Sequence, residues 1–119
     1  MRNSTSELPL RDMLAAIAHI ERKVRETSLD EFLGDLDRRR IVERCLEIIS
    51  EASRRLPEEL KQRHPEIPWQ KVAGIGNILR HDYEDIIPDA LWKLSRDDLP
   101  VLAAACRIEL QKLGKEGSL

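Results

Sequence analysis

Apolar residues in this chain recur at intervals of three and four, and no stretch alternates apolar with polar residues at a period of two. The first spacing aligns side chains on one face of an α-helix, whereas the second is the mark of a half-buried strand. Aromatic residues make up only 3% of the chain, and straight-chain residues that favour helices carry the pattern. The sequence therefore predicts an all-α fold, an antiparallel bundle of about four to six helices.

Helix boundaries follow from this periodicity and from capping residues. The predicted helical segments are residues 8–27, 37–56, 58–63, 68–83 and 88–113. Ser28 is available as an N-cap in the connector between the first two, and Pro57 opens the short third segment. Pro100 should kink or split the last segment, with Asp97 or Asp98 capping its second half.

Charge and length place limits on the class of protein. The formal net charge of −2 argues against a protein whose whole surface is positive and binds nucleic acids non-specifically, but it allows a local basic site. Arginines cluster at 38–40 and 54–55, where solvated helix faces are the favoured interpretation. The length of 119 residues predicts a single domain over 1–119, and residues 1–7 and 114–119 are expected to be flexible tails.

Two cysteines, Cys45 and Cys106, stand among apolar neighbours without metal-ligand spacing. They are interpreted as small buried hydrophobic residues in a reducing compartment. No apolar run approaches the roughly 18 residues that cross a bilayer. These observations predict a cytoplasmic protein that does not associate with a membrane.

The segment 69–84 carries the residues that could react with or bind a ligand. On a helix, Asn77 and His81 are neighbours on the polar face, opposite a core face that includes Tyr83. Gly74 and Gly76 each weaken a helix interior by about 1 kcal/mol relative to Ala. A histidine beside an amide and a glycine indicates a reactive or ligand-binding surface, while the alternative is a surface histidine on a loosely packed helix.

Nearly the whole chain, from residue 11 to 113, resembles the HepT-like toxins of the HEPN superfamily. The matching stretches are 11–14 (RDML), 39–49 (RRIVERCLEII), 51–52 (EA), 56–60 (LPEEL), 64–69 (HPEIPW) and 77–83 (NILRHDY). Each stretch alone is a weak signal, but their order and spacing together are a strong one.

The resemblance implies a dimeric, HEPN-like helical protein with two copies of the motif helix near the dimer cleft. It implies metal-independent endoribonuclease action on RNA, without a cofactor and with no DNA expected as a partner. The family usually acts as the toxin of a type VII-like toxin–antitoxin module, whose antitoxin is a nucleotidyltransferase. That partner can transfer AMP to the motif tyrosine, which matches Tyr83. Asn77 and His81 match the motif's asparagine and histidine.

Gly76 departs from the family pattern, because it stands where the family carries an arginine. Cleavage of RNA without a metal needs a group that takes the 2′-hydroxyl proton and a cation that holds the phosphate. His81 suits the first role. Arg80, four residues after Gly76, projects from nearly the same helix face and is a candidate for the second. The alternative for Arg80 is an exposed side chain that pairs with Glu84.

Other polar residues have competing interpretations. Tyr83 is either a half-buried core tyrosine or the acceptor of AMP. Glu51 matches an acidic family position and is a possible orienting acid for His81, although a plain surface or capping role is favoured. His19 and His64 are interpreted as structural.

Three functions remain open from the sequence. The first is a ribonuclease toxin with His81, Asn77 and Arg80 as catalytic residues. The second is a catalytically silent dimer that binds a nucleotidyltransferase or accepts AMP from it, which the glycine at 76 favours. The third, a purely structural bundle, ranks below both.

Overall fold

A computed structural model describes residues 4–81 and 92–117, with side chains described for 6–79 and 92–114. Every element in these ranges is a helix, which confirms the all-α prediction. The elements are α1 (Ser4–Arg25), α2 (Leu29–Gly34), α3 (Leu36–Arg54), α4 (Glu58–Gln62), α5 (Trp69–His81), a π-helical turn (Leu94–Asp98) and α6 (Leu99–Gly117). α1 begins four residues earlier than predicted, and Pro9, in its second turn, removes a single backbone donor.

Capping side chains set the ends of the short elements. The Ser28 hydroxyl accepts a hydrogen bond from the Glu31 N–H while the Glu31 carboxylate accepts one from the Ser28 N–H, a complete capping box. Asp35 ends α2 and caps α3 by accepting from the Arg38 N–H at 3.0 Å. Ser28 is thus an N-cap, as predicted, but the segment that follows it is the helix α2 and not the predicted connector. Pro57 is the N-cap of α4, in extended conformation, one position before its predicted place.

The core lies between α1, α3, α5 and α6, with the side chains of the predicted apolar faces at its centre. Its fully buried large residues include Leu10, Met13, Ile17, Ile20, Phe32, Val42, Leu46, Ile49 and Cys106. Both cysteines are buried and unpaired, as predicted. Burial raises the pKa of the Cys106 thiol to about 12, which keeps it protonated at neutral pH.

Pro100 does not split the last helix. The chain passes from the π-helical turn Leu94–Asp98 directly into α6, with Pro100 as the second residue of α6. A proline cannot donate to the carbonyl four residues back, and its ring crowds that carbonyl. The wider π-helical turn accommodates this without a break. The predicted capping by Asp97 or Asp98 is wrong, because both residues lie inside that turn.

α4 is anchored to α6 by a buried ionic cluster. The Glu109 carboxylate, only 3% exposed, accepts hydrogen bonds from Arg63 Nη2 at 2.7 Å and from His64 Nε2 at 2.6 Å. Burial alone raises the pKa of Glu109, but hydrogen bonds from Arg63 and His64, with the charges of Arg63 and Lys112, lower it to about 2. His64 is therefore buried in a structural contact, consistent with its predicted role.

In the parts of the chain that the structure describes, no helix is long and apolar enough to cross a membrane.

The ionic cluster generates a stability prediction. Glu109→Gln should lower the free energy of unfolding at pH 7 by about 2–3 kcal/mol, because it leaves a buried histidine without its carboxylate. In the folded protein the pKa of Glu109 lies below its ordinary value of 4.5. The ionised carboxylate therefore contributes its full stabilisation of the fold above pH 4.5, and this contribution is lost as the pH falls towards 2. Urea unfolding of parent and variant between pH 7 and pH 2 measures the difference.

The matched control is Glu7→Gln, which breaks the exposed pair between Glu7 and Arg11. Exposed pairs contribute little, so this change should stay within about 0.5 kcal/mol. Equal stabilities of Glu109→Gln and the parent at pH 7 would contradict the anchoring role.

Candidate active site

α5 carries the motif residues, and its first turn is held against α4. The indole Nε1–H of Trp69 donates to the carbonyl oxygens of Lys61 at 3.0 Å and His64 at 3.1 Å. Val72 and Leu79 are buried in the core, one and nearly three turns further along. The predicted core face of this helix is therefore confirmed over its described side chains.

A serine of α3 enters the backbone hydrogen bonding of α5. The hydroxyl of Ser50 donates to the carbonyl oxygen of Ala73 at 2.7 Å and accepts a hydrogen bond from the N–H of Gly76 at 3.2 Å. Ser50 is 2% exposed, and Gly76 is buried. The hydroxyl thus uses both its donor and its acceptor capacity to hold α3 against α5.

Gly76 lies on the face of α5 that meets α3, where a residue without a side chain permits close approach of two helices. Gly74 lies on the other side, half-buried, with open space where a Cβ would stand. The two glycines therefore differ: Gly76 serves the contact with α3, and Gly74 leaves room beside Asn77.

Arg54, one turn after Ser50 on α3, binds the same carbonyl. Its Nε and Nη2 lie 3.2 Å and 2.7 Å from the oxygen of Ala73, and the side chain is exposed. Ala73 therefore accepts hydrogen bonds from two side chains of α3, one buried and one at the surface.

Asn77 is exposed on α5, as the helical phase predicts, and so is Ile78 at 52%. Both lie at the edge of a cavity of about 790 Å³ between α5 and α6, whose lining includes Ile75, Leu99 and Leu102. The surface next to the motif asparagine is thus concave and mainly apolar.

The remaining motif residues are described only in part. The backbone of α5 is helical through Arg80 and His81, but their side chains lie outside the described ones, and Tyr83 lies outside the described residues. Glu51 is exposed on α3, next in sequence to Ser50. The catalytic, orienting and modification roles of these residues stay predictions. Within the described ranges, no three histidine, cysteine or acidic side chains come together as metal ligands.

The sequence did not single out Ser50, and it treated Arg54 as part of a solvated face. An isolated serine in a long helix gives no periodic signal, and the partner of a surface arginine depends on which helix packs beside it. The two residues nevertheless link α3 to the motif helix.

Comparison with known proteins gives a consistent result. Residues 13–108 match the family model described as ribonuclease HepT-like. A Thermococcus cleftensis protein named probable ribonuclease HepT is 41% identical over 93 residues, which cover 78% of this chain and 84% of that protein. A Methanocaldococcus jannaschii protein named as a candidate RNase is 34% identical over 91 residues, with coverage of 76% and 84%. No solved structure matches the chain.

The serine contact leads to a prediction about α5. Ser50→Ala should destabilise the protein by about 1–2 kcal/mol, because the Gly76 N–H loses its side-chain acceptor in a buried place. Amide exchange at Gly76, measured by NMR, should accelerate more than exchange in α1. Ser53→Ala is the control, since the Ser53 hydroxyl donates within its own helix, to the Ser50 carbonyl. Unchanged exchange at Gly76 in Ser50→Ala would refute the link.

Proposed function

The chain belongs to the HepT-like ribonuclease family, and from this membership we propose that it is a metal-independent endoribonuclease that acts on RNA as the toxin of a toxin–antitoxin module. The observation that supports this most is the motif helix: Asn77 is exposed on α5, and that helix continues to His81 while Ser50 holds it against α3. A fixed helix displays the motif positions at constant spacing, as catalysis requires.

The proposed reaction uses groups of the chain alone. The imidazole of His81 takes the proton of a ribose 2′-hydroxyl, and the 2′-oxygen attacks the adjacent phosphorus. The bond to the 5′-oxygen breaks and that oxygen acquires a proton, which leaves a 2′,3′-cyclic phosphate and a 5′-hydroxyl. The guanidinium of Arg80 stabilises the phosphoryl charge, and the Asn77 amide positions the phosphate. Glu51 is the proposed orienting acid.

We propose that the protein acts as a homodimer in the cytoplasm. Gly74 leaves open space on the motif helix, and Ile78 exposes apolar surface one turn further along. Both features suit contact with a second copy of α5, which would bring two His81 positions to one groove.

The proposed partner is a nucleotidyltransferase antitoxin that transfers AMP to Tyr83. Tyr83 follows His81 by two residues in sequence. An AMP group there would add bulk and negative charge close to the histidine that acts on RNA, which is itself an anion. Modification would thereby block access of the substrate to the site.

A catalytically silent binding partner is the second candidate function. The observation that favours it is the burial of Gly76 with its N–H on Ser50, since the position that carries the family arginine supplies no cation here. Such a protein would bind the antitoxin and accept AMP without cutting RNA.

The ribonuclease proposal predicts loss of activity in one histidine variant. His81→Ala should lower the rate of RNA cleavage in a chelator-containing buffer at least about 100-fold, because it removes the general base. Gel analysis of a labelled RNA after incubation with purified protein gives the rate. Arg80→Ala should also lower it, and Glu51→Gln tests the orienting role in the same assay.

His19→Gln is the matched control, because His19 contacts the Cys45 thiol between α1 and α3 and is not one of the proposed catalytic residues. It should cleave RNA like the parent. If the parent cuts no RNA, or if His81→Ala cuts as fast as the parent, the silent-partner function replaces the ribonuclease.

Modification of Tyr83 is tested by intact mass. After incubation with ATP and a cognate nucleotidyltransferase, the parent should gain the mass of one or more AMP units and lose ribonuclease activity. Tyr83→Phe should gain none, since it lacks the accepting hydroxyl. AMP addition to Tyr83→Phe at the parent's level would place the modification elsewhere.

A further inference from the structure

In the described part of the chain, Arg54 donates to a backbone carbonyl of a neighbouring helix and not to a carboxylate. Its guanidinium binds a backbone carbonyl of α5 through two N–H groups. Its neighbour Arg55 instead pairs with the carboxylate of Asp12 at 3.4 Å, and Arg40 pairs with Glu43 at 2.9 Å. Among the residues that the structure describes, no carboxylate forms an ion pair with Arg54. Within those described residues, its positive charge is therefore held at α5 by a neutral carbonyl and not by a carboxylate.

The carbonyl that holds Arg54 lies on the motif side of α5. Carbonyl groups of a helix point towards its C-terminus, so the oxygen of Ala73 faces the turn that contains Asn77. Ala73, Asn77 and His81 follow one another at four-residue spacing, and the helix rises only about 12 Å from the first to the third. A single RNA strand on this side of α5 can therefore contact both Arg54 and the position of His81.

The guanidinium has donors to spare for such a strand. Of its five N–H groups, two point at the Ala73 oxygen, and the other three form no hydrogen bond with any residue that the structure describes, while the side chain as a whole is exposed. The contact with Ala73 already restricts the rotamers of Arg54. Arg54 therefore loses less conformational entropy on binding than a freely moving surface arginine does. A planar guanidinium with free N–H groups matches the oxygens of a phosphate.

Gly76 connects this arrangement to the missing family arginine. Its buried N–H is within hydrogen-bonding distance of Ser50, so α3 approaches α5 closely at this point. The next turn of α3 carries Arg54, whose cation lies against α5. A cation of α3 is thus present on the helix that lacks the family arginine at position 76.

We propose that Arg54 is a substrate-binding residue, whose guanidinium holds a backbone phosphate of single-stranded RNA beside Asn77, next to the phosphate that is cleaved. This inference rests on the proposed ribonuclease function and adds an RNA contact outside the family motif. In this proposal Arg54 binds the RNA strand and takes no part in proton transfer.

Binding without cleavage tests this contact. In the His81→Ala background, the Kd of a single-stranded RNA oligonucleotide is measured by fluorescence anisotropy over a series of salt concentrations. Arg54→Gln should weaken binding about 10-fold, as expected for hydrogen bonds to a charged group. The slope of log affinity against log salt should become shallower by about 0.7, the value for one phosphate contact on a single strand.

Arg55→Gln is the matched control, since it removes the same charge one residue away and should change neither quantity. Arg54→Lys keeps the charge but not the two-pronged contact with Ala73, so it should retain most of the salt slope. A purely structural role would lower the melting temperature of Arg54→Gln and leave the salt slope at the parent's value.

The outcomes separate the two proposals. If affinity and salt slope are unchanged in Arg54→Gln while the protein with intact His81 cleaves RNA, the Arg54 inference is wrong and the ribonuclease stands. If the intact protein binds RNA through Arg54 but does not cut it, the ribonuclease proposal fails and the contact stands. Absence of RNA binding in the parent overturns both.

Discussion

The hydroxyl of Ser50 joins the two helices on which the candidate site depends. It occupies the space between α3 and α5, where it donates to the Ala73 carbonyl and accepts from the Gly76 N–H. A buried hydroxyl is costly unless both capacities are used, and here both are. The contact occurs in the same rotation of α5 that turns Val72 and Leu79 to the core and Asn77 to solvent. The position of the motif helix thus combines the burial of its apolar face with one buried polar contact to α3.

The arginines of α3 show how the same residue type serves different purposes along one helix. Arg38 is half-buried and ties α3 to the end of α1 through the Lys23 carbonyl, at 2.8 Å. Arg44 forms an exposed pair with Glu47 within its own helix, and such pairs contribute little to stability. Arg54 crosses to α5. Charge alone does not distinguish these cases, because the neighbouring helix decides what each guanidinium meets.

The sequence predicted the helices other than α2, the buried faces and the family, because apolar periodicity and motif spacing are local properties, but it predicted a connector where the short helix α2 forms. It predicted a kink or a split at Pro100, whereas the chain passes from a π-helical turn into α6 without a break. It also missed the role of Ser50, as a contact between distant segments leaves no trace in either segment alone. Relative to the family, the sequence showed Gly76 only as the loss of an arginine, whereas the structure buries it with its N–H on Ser50 of α3.

NMR mapping with an RNA that cannot be cleaved tests the central claim, that the exposed side of α5 at Asn77, next to Arg54 of α3, is the RNA-binding surface. An oligonucleotide with 2′-O-methyl groups lacks the 2′-hydroxyl proton that His81 would take, so it should bind without reacting. The account predicts that the amide signals of Ala73 and Asn77 and the side-chain Nε signal of Arg54 shift on titration, while those of the Arg63–Glu109 cluster do not. Shifts confined to other surfaces, or no shifts at all, would contradict it.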